Sequence, residues 1–297
     1  MTVLDDLFGK PKAIIAMAHF PPMPGQPLHD GRGGVQALLD AVGRDVAILA
    51  GSGVDAVLFC NEGDRPYRTR VGPEVPAVMT AVITELKSEL TIPFGVDILW
   101  DPRSAIALAH AVGARFVREV FTGAYAGDFG LWNTEPAESL SYRRQIGADE
   151  VKLFFNVTAE FAAPIAPRDI GLTVRSAVIS SLADAVCISG VTTGSDVDVG
   201  HLRQAKEAAG GDVAVISNTG VRPETVAEML RVADGCIVGT SLKRDGDTWK
   251  EVEEARVDRL LAAAVESGLW EPTGPAEEVK EVATREASLG GMTSRAT

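Results

Sequence analysis

The sequence predicts a single closed (β/α)8 TIM barrel of the α/β class. Three observations carry that expectation. Short apolar runs alternate with segments of helical periodicity from residue 13 to residue 266, the pattern of repeated βα units. The runs are apolar throughout instead of alternating with polar residues, as parallel strands covered on both faces require. Eight such units fit the length expected of one barrel. An open, doubly wound sheet is the competing architecture. The glycine fingerprint it often carries after its first strand is missing, and Pro21-Pro22-Met23-Pro24-Gly25 stands there instead.

The first strand is read over residues 13–20, and the prolines after it can neither continue a strand nor start a helix at once. A helix over 33–49 follows. The second strand, 54–60, ends in Asn61-Glu62-Gly63-Asp64. A helix over 73–90 has Pro73 near its first turn. The third strand is 92–99. Asp101 is the N-cap and Pro102 the first-turn proline of a helix that stops at Gly113. The fourth strand, 114–121, leads into a long loop, 122–136, and a helix over 137–146. The fifth strand is 151–157, with a helix over 168–182 behind it. The sixth strand is 185–189, ending in the turn Gly190-Val191-Thr192-Thr193-Gly194-Ser195, with a helix over 199–209.

The last two units carry the clearest functional signal. An apolar run, 213–216, ends in Ser217-Asn218-Thr219-Gly220, and a short helix, 223–232, follows. A second run, 235–238, ends in Gly239-Thr240-Ser241. Backbone N–H groups at such turns form anion sites, and the loops after strands seven and eight of a barrel are where a substrate phosphate most often sits. Thr219, Gly220, Gly239 and Thr240 are therefore the expected phosphate-binding residues. The plainer alternative is that the glycines only permit tight turns. A closing helix covers 248–266. Residues 1–270 are read as one barrel domain and 271–297, rich in Glu, Pro, Gly, Ser and Thr, as a C-terminal surface tail.

Composition narrows the function. The net charge is −13 over 297 residues. Nucleic-acid binding needs clustered Lys and Arg, and an anionic membrane repels such a surface, so neither is an expected partner. Cys60, Cys187 and Cys236 each lie inside an apolar run, which suggests reduced, buried thiols in a cytoplasmic protein. No signal peptide or membrane-spanning run is read. Barrels of this kind often associate as homo-oligomers, although no segment marks an interface.

Polar residues at the C-terminal ends of barrel strands read as catalytic or substrate-binding. His19 ends the first strand and titrates near neutrality, so it is a candidate acid or base; a neutral core histidine is the alternative. Asp97 and Glu119 lie on neighbouring strands. They could share a proton or hold a divalent cation, whereas an internal salt bridge with Arg118 or Arg115 explains the charges equally well. No spacing marks a metal site, and no cofactor motif is present. Asn61, Glu62, Arg118, Asn156, Ser189 and Asn218 complete the expected substrate-binding set. Lys152 starts the fifth strand, at the end away from the chemistry. Lys243 follows the eighth strand and is read either as a phosphate neutraliser or as an exposed turn lysine.

The segments 19–25, 61–66, 113–118, 123–130, 189–194 and 233–243 together resemble the BtpA/SgcQ family of barrel proteins related to the phosphate-binding barrels. The resemblance covers about residues 10–265 and implies the barrel fold. For function it implies either an enzyme of sugar or nucleoside metabolism or, in one branch, a photosystem I biogenesis factor. The chain departs from the family pattern at three places. Glu119 stands where the family has Asn, Trp100-Asp101 where it has Asn-Asp, and the run 156–161 where it has Asp-Val-x-Val-Lys-His. The leading expectation is acid/base chemistry on a small phosphorylated metabolite, a sugar phosphate or nucleotide-like compound. Isomerisation, epimerisation, lyase chemistry and glycosidic hydrolysis all fit two carboxylates and a histidine. A non-catalytic assembly factor would call for an exposed apolar patch, and none is read.

Overall fold

Strands of four to seven residues make a stable sheet most readily when no edge is left unpaired, and here the main sheet closes on itself. The computed structural model describes residues 1–273. In chain order the strands are β1 (Ala13–His19), β2 (Ala56–Cys60), β3 (Phe94–Asp97), β4 (Phe116–Glu119), β5 (Ala124–Gly127), β6 (Gly130–Asn133), β7 (Lys152–Asn156), β8 (Ala162–Pro164), β9 (Ala185–Ile188), β10 (Ala214–Ser217) and β11 (Gly235–Val238). β1, β2, β3, β4, β7, β9, β10 and β11 form the parallel barrel. β1 closes it by pairing with β2 on one side and with β11 on the other.

The helices are α1 (Val3–Phe8), α2 (Gly34–Gly51), α3 (Glu74–Leu86), α4 (Pro102–Val112), α5 (Pro136–Gln145), α6 (Ile170–Ile179), α7 (Val199–Ala209), α8 (Val226–Val232) and α9 (Glu254–Glu266). α2 to α9 ring the barrel and account for its apolar strands. Even-numbered residues of β1, such as Ile14 and Ala16, pack outward with Val42 and Leu260 of the helices. Odd-numbered ones, Ala13, Ile15 and Met17, pack inward with Phe116 and Phe154, whose rings stack at 4.8 Å. Both faces are therefore apolar, and no alternation shows in the sequence. α1, for which the sequence gave no expectation, plugs the N-terminal end with Leu4 and Leu7. Lys152 pairs there with Asp6 at 3.4 Å, far from the open mouth.

Most expected elements are present, with ends trimmed by a few residues. The expected cap of α4 also forms: Asp101 accepts from Ser104 N at 3.1 Å, and Gly113 ends the helix in the left-handed region. The expected loop 122–136 instead folds into a hairpin. β5 and β6 pair antiparallel, and β8 joins the other edge of β5. Each hairpin strand buries a single side chain, Tyr125 or Trp132, so no alternating run marked them. The closing helix begins at Glu254, not 248, because two short 3-10 turns, Thr240–Leu242 and Arg244–Gly246, precede it. Of the expected tail, Thr273 is held to the barrel: its N–H donates to Gly53 O at 2.8 Å and its hydroxyl to Asp55. Residues 274–297 lie outside the described residues.

Candidate functional site

The C-terminal ends of the strands open into a cavity of about 560 Å³. One side is built by the turns after β10 and β11: Asn218, Thr219, Gly220, Gly239 and Thr240 line it. Gly220 has φ +67°, and a Cβ there would lie 2.5 Å from Ser195 O, so only glycine fits. A Cβ on Gly239 would lie 3.2 Å from His19 Cε1, so this turn sets how closely β11 approaches β1. The Thr219 hydroxyl accepts from Gly190 N at 2.7 Å, and the Thr240 and Thr248 hydroxyls bond at 2.8 Å. Arg222, Arg256 and Arg259 also line this side. Sequence reasoning missed all three, because they follow the strand ends by several residues and come from α9 and the loop before α8.

The rest of the wall is acidic and aromatic. His19, Glu62, Arg118, Glu160, Leu99 and Trp100 line it. Glu160 was not among the expected site residues. It lies in the irregular stretch after β7 and is only 3% exposed. Asn156 Nδ2 donates to one of its oxygens at 2.8 Å and Asn218 Nδ2 to the other at 3.3 Å, with Arg118 Nη1 3.9 Å away. Burial raises its carboxyl above the usual range, although Arg118 opposes this. Glu62 accepts from Tyr67 at 2.8 Å and Thr193 at 3.1 Å. Tyr67 in turn packs among Trp100, Phe129 and Phe161, and the β5–β6 hairpin thus adds an aromatic roof.

Asp97 and Glu119 are fully buried and do not line the cavity. The expected placement around a reacting atom therefore gives way to one behind Arg118, where Asp97 forms an ion pair with the guanidinium. Burial raises Asp97 to about 7 and Glu119 well above its ordinary value, and Asp97 adds to the rise of Glu119. Like charge on the neighbouring carboxyl thus disfavours ionising both at once. Asn61, Asn156 and Ser189 also stay off the cavity wall. Asn61 ties β2 to the loop after β3 by accepting from Leu99 N at 2.7 Å. Asn156 and Ser189 hold Glu160 and Asn218 in place. Lys243 contradicts both readings made of it. It is 1% exposed, donates to Asp45 at 2.6 Å and does not line the cavity. Burial, then the Lys243 charge, holds His19 well below its ordinary value, so its imidazole is neutral at pH 7.

All three cysteines are buried and unpaired, and burial raises Cys187 and Cys236 to about 12. Among the described residues no three His, Cys, Asp or Glu side chains are arranged as a metal site, and no helix is long and apolar enough to cross a membrane.

With the cavity described, comparison with known proteins fixes the lineage. The sequence profile of the BtpA family matches residues 10–266. The chain belongs to the BtpA family. It is 43% identical over 261 residues to the sgc region protein SgcQ of Escherichia coli (strain K12), covering 88% of this chain and 97% of that protein. It is 31% identical to the photosystem I biogenesis protein BtpA of Synechocystis sp. (strain ATCC 27184 / PCC 6803 / Kazusa), covering 85% and 88%. The fold is similar to that of thiamine phosphate pyrophosphorylase from Pyrococcus furiosus, with TM-score 0.53 and 16% identity over 86% of this chain and 97% of that one. N-(5'-phosphoribosyl)anthranilate isomerase from Pyrococcus furiosus gives 0.51 and 12% over 86% and 99%. At such identities these two likenesses establish the barrel alone.

Proposed function

We propose that this BtpA-family barrel is an enzyme that binds a small phosphorylated metabolite and moves a proton at its other end. The observation that carries the reading is the set of groups lining the cavity at the barrel mouth. Glycine turns and three arginines share it with two buried carboxylates and a neutral histidine. A phosphate ester seated between the β10 and β11 turns would take backbone N–H groups and charge-assisted bonds from Arg256 and Arg259. Its carbon skeleton would then extend toward His19 and Glu160. Glu160, with its raised carboxyl, suits the base, and neutral His19 suits the partner that passes the proton on. Arg118, held by Asp97, would stabilise an enolate or alkoxide that forms. Asp97 and Glu119 act in this reading as positioning residues, and isomerisation, epimerisation or lyase chemistry fits best. Two of the fold relatives are named for phosphorylated compounds, which agrees by analogy of fold. A biogenesis factor would have no use for buried, opposed charges around an open cavity, and such charges are costly to keep.

The test is titration of ribose 5-phosphate and ribose into the protein and into Arg256→Met/Arg259→Met. The ester should bind the wild type at least about tenfold more tightly than ribose, and the double variant should lose that difference. Equal affinity of the ester for both proteins would show that no phosphate sits at these turns.

A further inference from the structure

The acidic side of the cavity carries more negative charge than its own cation balances. Glu62 is 4% and Glu160 3% exposed, and Asp97 and Glu119 lie behind them with no exposure. Four buried carboxyl groups are thus gathered around the single guanidinium of Arg118. An excess of that kind calls for a compensating cation. A second observation points to a ligand. Asn218 is 6% exposed and lines the cavity, its Nδ2 is used by Ser189 and Glu160, and its Oδ1 has no hydrogen-bond partner among the described residues. An unpartnered acceptor beside two carboxylates is suited to a group that donates several hydrogen bonds. Trp100 lines the same cavity.

We infer that the substrate also carries an ammonium group, held by Glu62, Glu160 and Asn218 Oδ1 beside Trp100, so that the ligand class is a phosphorylated amino sugar. This rests on the proposed phosphate seat at the β10 and β11 turns and names a second group bound in the same cavity. The cavity is of the size usual for such a ligand.

Glucosamine 6-phosphate and glucose 6-phosphate differ at one position, ammonium against hydroxyl, and share the phosphate. Both are titrated by calorimetry into the wild type, Glu62→Gln and Glu160→Gln, with circular dichroism and the melting temperature checking each fold. Wild type should prefer the amine by about tenfold or more, and each variant should lose most of that preference. Equal binding of the two esters to the wild type overturns the inference and leaves the phosphate reading standing. A preference that survives in both variants also overturns it, because the ammonium then sits elsewhere. If neither ester binds, the phosphate reading itself fails and the inference falls with it. Two probes and two variants keep these outcomes apart, even if one variant fails to fold.

Discussion

Asp97 and Glu119 have no exposure, and the rise that burial imposes on both makes stability depend on pH in a definite direction. A carboxyl whose folded value is raised holds a proton that the unfolded chain releases near pH 4. Its contribution is full below the unfolded value and falls as pH rises toward the folded one, here about 7 for Asp97. His19 works the other way, because its folded value is depressed and its neutral form is favoured as pH rises through about 6.5. The difference between wild type and Glu119→Gln isolates the pair. Wild type should lose stability relative to the variant between pH 5 and 7, by at most about 1.4 kcal/mol per pH unit for one proton. Denaturant titrations at a series of pH values measure this, and parallel curves would contradict a raised carboxyl at Glu119. At Gly239, a valine would push against His19, whose ring lies 3.2 Å from the added Cβ. Ribose 5-phosphate should then bind at least about tenfold more weakly, measured by calorimetry, with the fold kept. The glycine turns, His19, Glu62, Arg118 and Asn218 were legible in the sequence because barrel strand ends are recognisable. Glu160 was not, because it lies four residues past its strand, in a stretch with no regular period.

At the scale of elements, the buried pair of Lys243 and Asp45 pins the 3-10 turn after β11 onto α2. Asp45 also accepts from Val252 N at 2.8 Å, so the segment leading into α9 depends on the same carboxylate. Lys243→Met should cost about 3 kcal/mol or more in chemical unfolding, since it leaves Asp45 buried without a cation. Lys243→Met with Asp45→Asn should recover a substantial part of that. A single variant at wild-type stability would mean that the pair contributes little. The barrel strands were legible because each is an apolar run of sufficient contrast. The pairing of Lys243 was not, since its partner lies 198 positions away in sequence. The hairpin of β5 and β6 escaped notice for a related reason. It buries one aromatic ring per strand, and Trp132 finds its partner Trp100, outside the hairpin, only in the folded molecule.

For the whole molecule, the barrel gathers arginines and carboxylates around the cavity at its mouth. That arrangement follows from chain order: β10 and β11 bring glycine turns beside the arginines of α9, and the segments after β2 and β7 bring Glu62 and Glu160. The fold was legible from eight βα units alone. The charged wall was legible only in part, because Arg256, Arg259 and Glu160 reach the cavity from outside the strand ends. The most direct measurement is a thermal-shift panel of inorganic phosphate, sugar phosphates and nucleotides beside their unphosphorylated parents. A ligand present at a hundred times its Kd should raise the melting temperature by about 5 °C. The account predicts such shifts for phosphorylated sugars and none for their parents. Equal shifts, or shifts with the unphosphorylated compounds only, would contradict a phosphate seat at the turns of β10 and β11.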